Sequence, residues 1–203
     1  MINKFTETAE ELRRSGIEVS ESGSTAVTAL KKGNELYVAN VGDSRCVLGR
    51  EEGSGRVTAV EMSDDHKPDR RDEKERILKH RGAVEPIRAF NGRFMGPARV
   101  WSKKQVAGGL AVSRAFGDLA MASAGVTYDP EIKKTSLTNK DKFVVLASDG
   151  VWEHMSNQDV IEIANRHKDP RKASDAVVAE ARKQWQLKGQ GYVDDITAMV
   201  VRL

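Results

Sequence analysis

KFVVLASDGVWE (residues 142–153) and YVDDITAMVVRL (192–203) each join a run of β-branched and aliphatic residues to an aspartate. The runs read as two apolar strands, over 142–148 and 193–202, with Asp149 closing one and Asp194 opening the other. No lysine or arginine stands beside either aspartate in sequence. Carboxylates gathered at such strand ends repel one another unless a cation lies between them. A hard divalent ion with oxygen ligands meets that need, so a metal site on a β scaffold is the reading that organises the rest of the chain.

Upstream, residues 24–30, 35–41, 44–48 and 57–60 read as strands of an antiparallel meander, with turns at 32–34, at Gly42-Asp43 and at 53–55. A short helix is expected from Thr6 to Gly16. A second opens at Pro68, buries Ile77 and Leu78, and stops at Gly82. Residues 83–107 lose periodicity and are rich in Arg, Gly and Pro, which reads as a long loop or flap. A strand follows at about 131–137. Ser156 and Asp159 make a capping-box-like start for a third helix. Pro170 opens a fourth that carries Ala173, Val177 and Ala181 on its buried side and ends at Gly189. Strands in two groups with helices between them predict an α+β protein built on an antiparallel sheet or sandwich. With no repeat or low-complexity linker, a single domain over 1–203 is expected.

Composition narrows the function classes. With 33 basic against 30 acidic residues the formal charge is +3, too near balance to point to a nucleic-acid partner. No apolar stretch has transmembrane length and no signal-peptide core opens the chain. A membrane partner is therefore not expected, and an intracellular location, cytoplasmic or nuclear, is. The lone Cys46 supports neither a disulfide framework nor a thiolate zinc site and reads as a buried thiol. His66, His80, His154 and His167 show no paired metal spacing. Trp101, Trp152 and Trp185 read as packing residues.

The acidic positions each admit an ordinary explanation. An Asp-Gly pair such as 149–150 is a common turn, but the second acidic strand end favours a ligand. In a strand, Asp194 and Asp195 point to opposite faces, so at most one looks into a given site, and Asp195 suits a solvated loop end equally well. Asp43 is either a third acidic contributor or a hairpin aspartate satisfied by its own turn amides. Arg45 either pairs with Asp43 or lies across the sheet. Glu153 reaches the same ion as Asp149 if the chain turns helical after Gly150.

Seven motifs then occur in order: GSTAV (23–27), ANVGDSR (39–45), DHKP (65–68), GGLAVSRAFGD (108–118), PEI (130–132), LASDGVWE (146–153) and DDITAMVV (194–201). This series resembles the metal-dependent serine/threonine protein phosphatases of type 2C, the PPM family. The resemblance implies a β-sandwich of two antiparallel sheets flanked by helices on both faces. It also implies two or three Mg²⁺ or Mn²⁺ ions and a metal-activated water that attacks phosphoserine or phosphothreonine in protein substrates. On it, Asp149 matches the metal ligand of the S-D-G segment and Asp194 the ligand at the start of the last strand. Asp43 matches the aspartate associated with a weaker third metal, and Glu153 is an acidic candidate for the same ion. Asp195 stands where the family usually has Asn. Residues 83–107 cover the family's variable flap.

The family's D-G-H-G-G segment, which carries a bridging aspartate and a general-acid histidine, has no counterpart in these 203 residues. Their only Asp-Gly pair is 149–150. The expectation is an N-terminally incomplete phosphatase domain whose activity requires that segment. The alternatives are a catalytically inactive member that binds phosphoproteins or kinases, and completion of the site by a second chain. Neither substrate identity nor oligomeric state is legible.

Overall fold

The computed structural model describes every residue except Ser54, 104–107 and Gln190. In chain order the elements are α1 (Ile2–Arg14), β1 (Gly23–Ser24), β2 (Ala26–Lys32), β3 (Glu35–Val41), β4 (Arg45–Glu51), β5 (Val57–Glu61) and α2 (Arg71–Lys79). They continue with β6 (Ala83–Arg88), β7 (Phe94–Trp101), β8 (Phe116–Gly117), a 3-10 turn (Leu119–Ala124), β9 (Glu131–Ser136) and β10 (Asp141–Ala147). Last come α3 (Asp149–Trp152), α4 (Asn157–Asn165), α5 (Pro170–Lys188) and β11 (Ala198–Arg202). The chain divides into two compact units. One comprises Met1–Ala26, Val41–Asp43 and Asp65–Glu131, the other Val27–Asn40, Ser44–Asp64 and Ile132–Leu203.

The second unit is a sandwich of antiparallel sheets. Its four-stranded sheet has the order β11-β10-β4-β5, its three-stranded sheet the order β2-β3-β9. Strand alternation sends Cys46, Leu48 and Val144 to one face of the larger sheet, where they meet Leu36 and Val38 of β3 in a buried core. The intervening Val47, Phe143 and Val145 face the other way and pack with Val160 and Ile161 of α4 and Ala173, Val177 and Ala181 of α5. A methyl at Gly49 would come within 2.8 Å of the Phe143 ring, so only glycine lets the ring lie flat there. Burial pushes the Cys46 thiol up to about 12, as fits the inert core thiol expected of it.

Both helix starts are built as anticipated. Ser156 Oγ accepts from Asp159 N while Asp159 returns a bond to Ser156 N, a full capping box. Asp169 caps α5 through bonds from Arg171 N and Lys172 N, with Pro170 in the first turn. Ser174 Oγ then accepts from Val200 N at 3.0 Å, docking β11 on α5.

In the first unit, Phe5 of α1 packs on Phe116 of β8 at 5.5 Å between ring centres. The helix begins at Ile2 rather than Thr6, because Phe5 gives its first turn an apolar anchor. Helix α2 begins at Arg71 rather than at Pro68; of its two apolar residues Ile77 is buried and Leu78 half exposed, since adjacent residues sit about 100° apart around a helix. The stop also differs from expectation. Arg81 takes the left-handed conformation at φ 63°, with Arg81 N bonded to Leu78 O and Gly82 N to Ile77 O, a Schellman ending. Gly82 is needed for space instead: a Cβ there would lie 2.6 Å from Ala124 O.

Two further sequence expectations are corrected. Residues 83–101 are no loop but an antiparallel hairpin, β6 with β7, whose register slips between Glu85 and Ile87. Pro86 sits in that slip, where its missing N–H is tolerated, and Gly96 and Pro97 hide the alternation of β7. The rest of the expected flap reaches 104–107, outside the described residues, as does Ser54 of the expected 53–55 turn. The last strand begins at Ala198 rather than 193, so Asp194 and Asp195 precede the strand and the opposite-faces argument does not apply to them. Among the described residues no helix is long and apolar enough to cross a membrane.

Candidate metal centre

β10 ends at Ala147, and Ser148 turns the chain into the single turn of α3 with Asp149 as its first residue. Ser148 also stitches this turn to the segment before β11. Its N donates to Thr197 O at 3.0 Å. Its Oγ donates to Asp195 O at 3.2 Å and accepts from Thr197 N at 3.1 Å. These bonds take the place of a strand ladder, which is why β11 starts late. Gly150 makes the approach possible, since a Cβ there would fall 2.2 Å from Asp195 O. Behind the turn, Trp185 Nε1 donates to Gly150 O at 2.7 Å and Trp152 Nε1 to Ala147 O at 2.9 Å. Two of the three tryptophans thus fix the turn while filling the core.

The result is one acidic corner in the sandwich unit. Asp194 Oδ1 accepts from Asp195 N at 2.8 Å and from Tyr192 Oη at 3.3 Å. The Tyr192 hydroxyl is pushed above its ordinary pKa, first by the charge of Asp194 and more weakly by those of Asp195 and Asp149. All three carboxylates therefore bear on the same phenol. Glu153, exposed at the end of α3, donates its N to Asp149 O at 2.9 Å. The chain does turn helical after Gly150, the condition under which Glu153 faces the same way as Asp149. Arg45 lies across the sheet, its Nη1 bonding Asn157 Oδ1 at 2.6 Å and its guanidinium over the Trp152 ring.

Asp43 belongs to the other unit and is differently placed. It is buried, and Lys67 Nζ lies 2.5 Å from its Oδ2. Neither its own turn amides nor Arg45 had suggested this partner; the DHKP motif supplies it. The preceding His66 is fully buried. Its Nδ1 accepts from Gly42 N at 3.0 Å, which leaves the proton on Nε2, facing Glu131 at 3.2 Å. Burial first, then the positive charge of Arg114, holds the His66 ring below its ordinary pKa.

Next to it lies a charge cluster that sequence reading missed. Glu73 of α2 is fully buried. Arg76 grips it with two bonds of 2.6 and 2.7 Å, Arg114 approaches at 2.7 Å, and Ser113 Oγ donates to it. Burial raises its pKa, yet the hydrogen bonds from Arg76, Arg114 and Ser113 outweigh that and hold it far below the carboxylate range. Arg70 binds Glu131 through two bonds of 2.8 and 2.9 Å. The DHKP, SRAFGD and PEI motifs therefore meet in a buried ionic clamp. Its signal in the sequence was hidden because Glu73 sits inside the mixed-charge run RRDEKER (70–76).

A divalent metal fits the corner by chemistry and only partly by number. Asp149 and Asp194 offer hard carboxylate oxygens, and Asp194 accepts only neutral donors among the described residues. Among those residues no three His, Cys, Asp or Glu side chains group closely enough to hold an ion by themselves.

Comparison with known proteins follows the same lines. The family model described as "Protein phosphatase 2C" matches residues 1–186. "Probable protein phosphatase 2C 64" of Oryza sativa subsp. japonica is 48% identical over 168 residues, 82% of this chain and 38% of that protein. "Probable protein phosphatase 2C 73" of Arabidopsis thaliana is 40% identical over 188 residues, 90% of this chain and 48% of that protein. The chain spans about half the length of the curated relatives it matches, or less. Among solved structures, the serine-threonine phosphatase 2C from Toxoplasma gondii superposes with a TM-score of 0.78 at 28% identity, over 98% of this chain and 63% of that one. A C. elegans sex determining protein, 19% identical with a TM-score of 0.71 over 97% of this chain and 43% of its own, shares the fold.

Proposed function

The chain belongs to the protein phosphatase 2C family, and from that premise we propose that it carries the acidic half of a site for metal-dependent hydrolysis of phosphoserine and phosphothreonine in proteins. The observation that supports this most is the Ser148 stitch, which brings Asp149 and Asp194 to one corner with only glycine between the two backbones. When bound there, Mg²⁺ or Mn²⁺ supplies Lewis acidity toward water and toward phosphoryl oxygens. Asp149 and Asp194 would hold it, with Glu153 offered to a peripheral ion. Asp43 is proposed as a further ligand, a role that requires it to exchange its Lys67 pair. Two carboxylates are too few for ions that prefer about six oxygens, so the proposal includes ligands from a D-G-H-G-G type segment, in the same polypeptide or in trans. The two units would then form parts of one catalytic domain, as a family model running through both suggests. The fixed corner would orient the phosphoryl group, and the reducing interior of the cell, cytoplasm or nucleus, suits its single free thiol.

A protein joining this chain to such a segment is expected to hydrolyse a phosphothreonine peptide in Mn²⁺. Asp149→Asn should cut that rate by about a thousandfold. Full Mn²⁺-dependent activity in the variant would sink the assignment. The lack of any three-ligand group among the described residues favours a second reading, a phosphoprotein- or kinase-binding module without turnover. It predicts retained peptide affinity and no hydrolysis even in the joined protein.

A further inference from the structure

The β6–β7 hairpin is held firmly at its base and bare at its tip. Val84 and Val100 join the buried cluster of Ile77 and Met121, and Trp101 Nε1 donates to Glu85 O at 2.8 Å. The tip is an ordered turn, with Ala89 N bonded to Arg93 O and Gly92 N to Ala89 O, both at 2.9 Å. Yet Ile87, Phe94 and Met95 are 40%, 58% and 58% exposed and Phe90 is wholly so. So much apolar surface on one projection calls for an occupant.

Register shows what kind. Ile87 stands opposite Met95 and Arg88 opposite Phe94. Cross-strand partners share a face and successive residues alternate, so apolar side chains project from both faces of the ribbon and from its end. A protein groove that accepts a ribbon rewards one apolar face, whereas a lipid interface surrounds the finger on all sides. The guanidinium groups of Arg88 and Arg93 have no hydrogen-bonded or ionic partner among the described residues; Arg93 bonds Asn91 Oδ1 only through its backbone N. Flanking the apolar tip, they are placed to reach phosphate oxygens while their stems stay among apolar groups.

We propose that this hairpin is a membrane-contact finger, whose tip enters the interface of an anionic bilayer through Phe90, Phe94, Met95 and Ile87 while Arg88 and Arg93 bind lipid phosphates. The finger rests on the interface and does not span it. This departs from the sequence expectation of no membrane partner, and it needs none of the acidic-corner residues.

The test sediments the chain with vesicles of phosphatidylcholine, with and without phosphatidylserine. Binding is expected to the serine-containing vesicles and to fade with added salt. F90A/F94A should weaken it about tenfold or more. R88Q/R93Q should weaken it about tenfold and flatten the salt dependence. F90W emission should shift to the blue on those vesicles. All these side chains are exposed, so unchanged melting temperatures keep the comparison clean. No sedimentation with phosphatidylserine vesicles, or F90A/F94A sedimenting like the parent, would overturn the proposal. So would binding to poly-glutamate in place of vesicles, which would assign the finger to an acidic protein.

Discussion

Glu73 in one unit and Asp194 in the other are carboxylates in opposite circumstances. Glu73 is buried and gripped by two arginines and a serine. Asp194 is partly exposed, accepts from a peptide N–H and a phenol, and bears on that phenol together with the weaker charges of Asp195 and Asp149. Fully neutralised acid ties elements together. Asp194, which accepts only from neutral donors among the described residues, sits beside a backbone fixed by Ser148, Gly150 and Trp185. On the proposed reading, the difference separates a motif that builds the fold from one that would carry chemistry.

The sharpest way to break this contrast is Glu73→Gln. It leaves Arg76 and Arg114 facing each other without their counter-charge, and removal of one partner from a buried ionic cluster costs about 3–5 kcal/mol. Urea unfolding followed by circular dichroism should show that loss. A change below about 1 kcal/mol would mean the clamp is ornamental. Next comes Gly150→Ala. Its Cβ would fall 2.2 Å from Asp195 O, a backbone atom. An overpacked site of this kind costs about 1–3 kcal/mol, and here the strain should also pry Asp149 from Asp194. In the protein joined to a D-G-H-G-G type segment, Mn²⁺ affinity should then fall further than stability does; an unchanged affinity would show that the stitch does not set the corner.

The His66 ring beside the clamp gives a pH signature. Its folded pKa lies below the ordinary value because burial, aided by Arg114, disfavours the cation. Below about pH 6.5 the unfolded chain takes up a proton that the folded ring refuses. Stability is therefore complete above that pH and falls as pH drops toward the folded pKa, by up to about 1.4 kcal/mol per unit. Melting temperatures between pH 7 and pH 5 should decline in the parent and less steeply in His66→Gln. Equal slopes would remove His66 from the account.

Much of this was legible in the chain. The 3.6-residue stripe of α5, the Ser156 capping box and the whole of β3 are local signals, and local chemistry decided them. The hairpin at 83–101 was not legible, because Pro86, Gly96 and Pro97 interrupt its alternation and neither distal face is buried to enforce one. The start of β11 misled for the reverse reason. Residues 193–197 alternate like a strand, but Ser148, distant in sequence, takes the hydrogen bonds of Thr197. The helical turn that carries Asp149 and Glu153 followed from their local sequence, whereas the Lys67 partner of Asp43 and the burial of Glu73 depend on contacts between motifs far apart in the chain.

The smallest expected effect is the most discriminating. Asp194→Asn keeps an amide oxygen to accept from Asp195 N and removes one charge from a corner already rich in them. Without metal, stability should change by less than about 1 kcal/mol in either direction. In the protein joined to a D-G-H-G-G type segment, Mn²⁺ that binds only the folded state should raise the melting temperature in proportion to the logarithm of its concentration. The variant should gain little, because half of the corner's carboxylate pair is gone. A loss without metal as large as that of Glu73→Gln would place Asp194 among the structural acids, and the contrast between the two units would no longer hold.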